Sequence, residues 1–388
     1  MATRRVQVFG SDRGGTRRQQ PGRAVENGRN DMMLARPAAA LGAAFALALA
    51  AGAVSAPAAK AGEVLSFTTS ATPTAPQSPV FEAWAKMIEE KTNGDLEVEF
   101  YYQQSLSKLA DNLKAVSSGL ADIGILVPAY TRTVFPLTYL SSTSFGAGDP
   151  YVITQAWLAT RDAFPEIAAE DEANNLKFLT NHSIGSTVLV GDQFYPTPQA
   201  MNGKTMRLSS HWTYAAKALD LDVNPARIRS PETYTSLEKG TITGSVTYLG
   251  QLYPYKLNEV ADHLTILDLG QHMNMYYMNL DRWNDLTDEQ REIIAGSLPQ
   301  LTLDLARAEI TFDEESLAKV QVDETYPMKV LKVEGADKDA WRAGLKPSYD
   351  NNVAKATEVN PDAPRIAEFY IGKVDALEEK MKAEGYPW

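Results

Sequence analysis

Cysteine is absent from the 388-residue sequence, and histidine occurs only four times. Without thiols, a disulfide framework, iron–sulfur ligation, a thiolate zinc site and a cysteine nucleophile are all excluded. The four histidines, His182, His211, His263 and His272, are never three or four residues apart, so no helical metal pair can form. The nucleophile elbow G-x-S-x-G, the phosphate loop G-x-x-x-x-G-K-[ST] and the helical H-E-x-x-H are also missing. Gly146-Ala147-Gly148 lacks a third glycine and precedes Asp149-Pro150, which reads as a turn. Asp220-Leu221-Asp222-Val223-Asn224 begins like a calcium loop, but Pro225 stands where glycine must turn and Pro231 where the bidentate glutamate belongs, so it reads as a surface turn. Positive charge is in deficit: 37 Lys+Arg against 49 Asp+Glu give a net charge of -12, which repels nucleic-acid phosphates. What is present is a 44% hydrophobic composition, enough for a large core in two domains.

The charge is unevenly spread. Residues 1–61 carry nine Lys+Arg and three acids, a net of +6, so the remainder is at -18. Within this basic leader Met32-Met33-Leu34-Ala35-Arg36 precedes an Ala/Leu/Phe run from Ala38 to Val54, then Ala59-Lys60-Ala61 before Gly62. A positive n-region, an apolar h-region and an A-x-A site read as a secretory signal. A membrane anchor is the other reading, since the run approaches spanning length, but Ala and Gly dominate it and a cleavage site follows. The expected mature chain is Gly62 to Trp388, exported and acidic.

From Gly62 onward strand and helix patterns alternate. Val64 to Thr69 reads as a strand, and Ser78-Pro79 opens a helix with Val80, Trp84, Met87 and Ile88 on one face, stopped at Gly94. Leu96, Val98 and Phe100 alternate with Glu97 and Glu99, a half-buried strand. Leu109, Leu113 and Val116 line a helix stopped by Gly119, and Ala121 to Val127 is a nearly all-apolar strand. This βαβαβ order predicts an α/β fold with mostly parallel sheets. The pattern resumes around Met206, Tyr214 to Leu219 and Ile242 to Tyr248. Thr287-x-x-Gln290 predicts a capping box on a long helix that Pro299 should kink, and a last helix is expected over 364–384.

Several segments together carry a resemblance. Phe81-x-x-Trp84, Lys91-Thr92-Asn93-Gly94, Val116-Ser117-Ser118-Gly119-Leu120-Ala121-Asp122-Ile123-Gly124, Pro128-x-Tyr130 and Phe135-Pro136-Leu137 stand in the first half. Met201-Asn202-Gly203-Lys204-Thr205-Met206-Arg207, Pro231-Glu232-Thr233-Tyr234 through Gly240, and Asn279-x-x-x-Trp283-x-x-Leu286 stand in the second. In their order and spacing they resemble the solute receptors of tripartite ATP-independent periplasmic (TRAP) transporters, dicarboxylate-receptor type. The resemblance covers nearly all of the chain beyond the leader.

The resemblance implies a two-lobed periplasmic solute-binding protein with an interlobe cleft, crossing strands and a long interlobe helix. It divides the chain into a removed leader at 1–61, a first lobe at 62–184, a second lobe at 185–272, a return to the first lobe with the long helix at 273–315, and C-terminal helices of the second lobe at 316–388. It implies capture of a small organic acid for delivery to membrane permease subunits, with no cofactor, no metal and no catalysis. It places the carboxylate anchor at Arg207, whose planar guanidinium offers parallel N–H donors and stays charged when desolvated. Thr187 stands where relatives often carry a second arginine, and Thr247 where they carry an amide. One cation with hydroxyl donors fits a monoanion better than a dicarboxylate. Tyr130, Trp212, Tyr248 and His272 are the remaining expected ligand-facing residues, each also readable as core packing. Two rival readings are a secreted hydrolase or isomerase using Asp122 or Glu232, and a ligand sensor of the same fold without a transport role.

Overall fold

The computed structural model describes residues 62–142, 147–270 and 272–388. The leader with its cleavage site, and Gly146 of the expected turn, lie outside the described residues. Among those described, no helix is long and apolar enough to cross a membrane.

The first stretch runs β1 (Glu63–Thr68), α1 (Gln77–Lys91), β2 (Leu96–Tyr101), α2 (Asn112–Ser117), β3 (Ile123–Leu126), α3 (Pro128–Thr131), α4 (Pro150–Ala163), α5 (Pro165–Glu172) and β4 (Leu176–Ser183). The chain then passes through β5 (Thr187–Gly191), β6 (Thr205–Arg207), α6 (Ser210–Ala218), β7 (Asn224–Ala226), α7 (Thr233–Glu238), β8 (Gly244–Tyr248) and β9 (His263–Ile266). It returns as β10 (Met273–Asn279), α8 (Leu280–Asp285) and α9 (Asp288–Val322), and ends with β11 (Lys329–Lys332), α10 (Gly335–Thr357) and α11 (Ala363–Glu384).

Local chemistry sets several of these boundaries. α1 stops where Asn93 and Gly94 take φ of 53° and 81°, a left-handed ending that glycine adopts without steric cost. α4 starts on Asp149, whose side chain accepts from the Val152 amide at 2.9 Å, with Pro150 at the first helical position. Thr287 and Gln290 form the expected reciprocal capping box on α9. Pro299 does not end that helix. Its missing N–H is a local loss, and Leu301, Leu305 and Ala306 beyond it are buried, which holds the helix against the core.

Two sheets result, ordered β2-β1-β3-β10-β4 and β11-β9-β5-β8-β6-β7. In the first, β1 runs parallel to β2 and β3, while β10 is antiparallel to both β3 and β4. In the second, β5 is antiparallel to β8 and β9, while β6 is parallel to β7 and β8 and β11 to β9. Each sheet thus has one reversed strand, and each reversed strand is fed by a crossing from the other sheet: β4 leads into β5, and β9 leads into β10. The mostly parallel expectation holds strand by strand except for these two. Because β4 and β9 leave their sheets at their carboxyl ends, the carboxyl ends of both sheets face the crossings. In open α/β sheets that is where ligand crevices form.

Buried apolar clusters cover the faces of each sheet. One centres on Trp157, Tyr277 and Tyr370, a second on Phe67, Tyr276 and Leu305, a third on Tyr195, Trp212 and Trp341, and a fourth on Val188, Leu252 and Leu264. The last part of the chain is shared between the sheets. β11 joins the second sheet and α10 packs on α6, but α11 lies on α4, where Trp157 and Tyr370 meet edge to face at 5.4 Å. α9, at 1.5 Å per residue about 50 Å long, packs on α1, α4 and β4 and also on the turn at 249–251 that follows β8. The two crossings are tied to each other: the Ile184 amide donates to His272 O at 3.1 Å and the Leu267 amide to Thr187 O at 3.2 Å.

Candidate binding cleft

Arg207 is the last residue of β6, so its side chain leaves the sheet at the carboxyl edge. Both flanking strands hold it. Its Nε donates to Ile228 O at 2.9 Å just beyond β7, one terminal nitrogen donates to Val246 O of β8 at 2.7 Å, and the other to Ser230 Oγ at 2.9 Å. These neutral acceptors fix the guanidinium plane without cancelling its charge. Burial is the main influence on Arg207 and lowers its pKa, opposed by Tyr248 and Tyr255; no carboxylate acts on it among the described residues. A guanidinium has five N–H donors and three are taken, which leaves one on each terminal nitrogen. That is the number a bidentate carboxylate requires.

Tyr248, at the end of β8, adjoins Arg207. Burial raises its pKa to about 12, Arg207 works in the opposite direction, and Tyr130 raises it further. Tyr248 therefore stays a neutral hydroxyl. Its ring lies 5.9 Å from that of His272, centroid to centroid. Burial, and then His182, lower the His272 pKa to about 4, so this imidazole is neutral at neutral pH, with one donor and one acceptor nitrogen. Tyr130, on α3 just after β3, is 60% exposed.

The structure thus brings together Arg207, Tyr248, His272 and Tyr130 at the carboxyl ends of the sheets and puts the other expected residues to different use. Trp212 is 3% exposed, packed edge to face on Trp341 at 5.5 Å in the core under α6. Its aromatic bulk fills the α6–α10 contact instead of the cleft. Thr187 is 2% exposed and its hydroxyl donates to Gly270 O at 3.2 Å, binding one crossing to the other. The Thr247 hydroxyl donates to Gln251 Oε1 at 2.9 Å, so what that position offers a ligand passes through the Gln251 amide. Gln251, Tyr255 and Ser230 escape a reading of the sequence, because what brings them to Arg207 is the path of the chain after β7 and β8. Asp122 accepts from the Ser66 amide and hydroxyl at 2.7 Å each and pairs with Arg282 at 3.2 Å, so it joins strand ends. Glu232 is exposed at the start of α7. A surface groove of about 420 Å³ between α1 and α9, lined by Val80, Arg307 and Phe312 among others, contains none of the cleft residues. No group of three or more His, Asp or Glu among the described residues could hold a metal ion.

Bacterial extracellular solute-binding protein, family 7 (DctP), matches residues 67–356. The chain belongs to this family. It is a bacterial extracellular solute-binding protein, a receptor and not an enzyme. It is 23% identical over 328 residues, 82% of this chain and 94% of the relative, to the C4-dicarboxylate-binding periplasmic protein DctP of Rhodobacter capsulatus. It is 24% identical over 297 residues, 74% of this chain and 84% of the relative, to a solute-binding protein of Chromohalobacter salexigens. Among solved structures, a TRAP periplasmic solute-binding protein of Desulfovibrio salexigens, an open complex with the C-terminus of a symmetry mate in its ligand-binding site, superposes with a TM-score of 0.74 at 19% identity, covering 84% of this chain and 98% of that one. One of Bordetella bronchiseptica with bound mandelate gives 0.68 at 19% identity, covering 81% and 99%. The two-lobed fold agrees with both.

Proposed function

We propose that this receptor captures a small monocarboxylate in the cleft between its two sheets and hands it to the permease subunits of its transporter from the periplasm. The observation that carries this reading is the half-buried Arg207 guanidinium, held by neutral acceptors and left, among the described residues, with one unpaired N–H on each terminal nitrogen. On this reading Arg207 grips the carboxylate, and the neutral Tyr248, His272 and Gln251 side chains meet the rest of the ligand. Binding energy shared between groups on the two sheets stabilises a closed state, the form that the permease recognises.

Relatives of this fold and family divide between two ligand charges: the Rhodobacter capsulatus protein bears a C4-dicarboxylate-binding name, and the Bordetella bronchiseptica structure holds mandelate, a monocarboxylate. Arg207 as the one cation of the cleft among the described residues favours the second kind here. Arg227 and Arg229 are exposed, and Arg132 bonds to Tyr139. A second ligand carboxylate would lie desolvated without a cationic partner, which costs several kcal/mol. A thermal-shift screen of lactate, pyruvate, mandelate, 3-hydroxybenzoate and glucuronate against succinate, malate and fumarate tests this, followed by calorimetry on the acids that respond. Stabilisation by one or more monocarboxylates and none by the C4-dicarboxylates is expected. Tight binding of a C4-dicarboxylate, with no monocarboxylate bound, would sink the proposal.

A further inference from the structure

Behind the cleft, α9 carries two carboxyl groups one turn apart, Glu309 and Asp313, against the crossings. Glu309 is 3% exposed and stands 3.3 Å from Nε2 of His182, which is 0% exposed at the end of β4. His182 Nδ1, Asp313 Oδ1 and the Tyr276 hydroxyl are buried without a hydrogen-bond partner among the described residues. Such orphaned atoms are costly to bury, and three of them fall in one polar cluster.

Asp313 touches both the 184–186 crossing and the turn at 249–251. The Ser186 amide, in the β4–β5 crossing, donates to its carboxyl group. Gly185 in the same crossing has a φ of 88° and passes so close that a Cβ there would collide with Asp313 Oδ2. On the other side Gly250 follows Tyr248 in the chain, and a Cβ built on it would stand 3.7 Å from Asp313 Oδ1. The groups acting on Asp313 are Glu309 on its own helix and the Ser186 amide, and behind Glu309 stands His182 on β4, with Tyr276 of β10 stacked on its ring at 5.5 Å. No lysine or arginine acts on it. Burial, and next Glu309, raise its pKa to about 8 from 3.8, with the Ser186 amide working the other way.

We propose that Asp313, with Glu309 and His182, forms a proton-operated lock on the hinge: while Asp313 holds its proton, the 184–186 crossing and the 249–251 turn stay packed on α9, and loss of the proton loosens them. The bearing of this lock on ligand capture rests on the receptor reading above. The lock itself does not. An acid whose pKa is raised in the packed state binds its proton more tightly there than in the opened state. The packed state is therefore most favoured at low pH and loses that advantage as the pH rises towards 8.

Hydrogen exchange on the whole protein, corrected for the intrinsic pH dependence of amide exchange, reads this directly without any ligand. Between pH 6 and pH 8 the protection of 184–187 and 247–251 should fall roughly fifty-fold in the unaltered protein, as a pKa of about 8 requires. In Asp313→Asn, whose amide cannot ionise, protection should not change over that range. Glu170, whose pKa burial raises to about 7, also holds a proton at pH 6, so the reading is the infrared difference between the unaltered protein and Asp313→Asn: at pH 6 it should show a protonated carboxyl component that is gone at high pH. Should that variant fail to fold, Glu309→Gln serves in its place: removing the neighbouring charge should move the fall in protection to lower pH. Equal pH profiles for the unaltered protein and either variant, or no protonated carboxyl component in the difference spectrum at pH 6, would overturn the lock while leaving the organic-acid screen unaffected.

Discussion

Replacing Arg207 tests the cleft most sharply, because on the proposed reading its five donors serve two tasks. Three hold Ile228 O, Val246 O and Ser230 Oγ, and two remain for a ligand. Arg207→Ala removes both sets. Truncating one partner of a buried, hydrogen-bonded charge pair costs about 2 to 5 kcal/mol, a loss of roughly thirty-fold to several thousand-fold in affinity. The same change strands three acceptors, at about 1 kcal/mol each where water can reach them, so the melting temperature should fall by several degrees while the fold is kept. Arg207→Lys separates the effects. An ammonium keeps the charge but has only three donors and no fork, so it cannot serve the acceptors and a bidentate carboxylate together. It should retain more stability than the alanine variant and still bind at least about ten-fold more weakly than the unaltered protein. Calorimetry with the acid that most stabilises the unaltered protein, beside circular dichroism melts of each variant, measures both. Near-normal affinity in either variant would remove Arg207 from the site and with it the argument from unpaired donors.

Three further outcomes are expected. Trp341→Ala, which deletes a 1% exposed ring packed on Trp212 and its hydrogen bond to Tyr195 O at 3.2 Å, should cost about 3 to 5 kcal/mol in urea unfolding, and a loss below about 1 kcal/mol would contradict the assigned core. The folded-state pKa of about 4 for His272 lies below the ordinary 6.5, so its contribution to stability is complete above pH 6.5 and is lost as the pH falls towards 4. His272→Gln should flatten the melting temperature over that window, and an unchanged acid limb would refute the depressed pKa. N-terminal sequencing of the exported protein should begin at Gly62, whereas a mature chain retaining 38–54 would mean an anchored receptor.

The residues alone determined much. The alternation of Leu96, Val98 and Phe100 with Glu97 and Glu99 appears in β2 as buried or half-buried against exposed positions, and the Thr287–Gln290 box opens α9 as its spacing requires. Such signals are short-range, so they survive in the sequence. Of the strands that make the crossings, β4 was not legible, because Thr180, Asn181, His182 and Ser183 are polar yet wholly buried. Their burial depends on partners brought by α9 and β10, more than ninety residues away. Arg207 could be proposed as the anchor from the order of motifs. What only the tertiary structure decided is how it is held and what surrounds it: two strands converge on Arg207, Tyr248 comes to rest beside His272, Trp212 turns into the core, and Thr187 is consumed by a crossing. Periodicity fixes which face of an element is apolar, but which elements meet at the carboxyl edge of a sheet follows from long-range pairing, to which no local pattern responds.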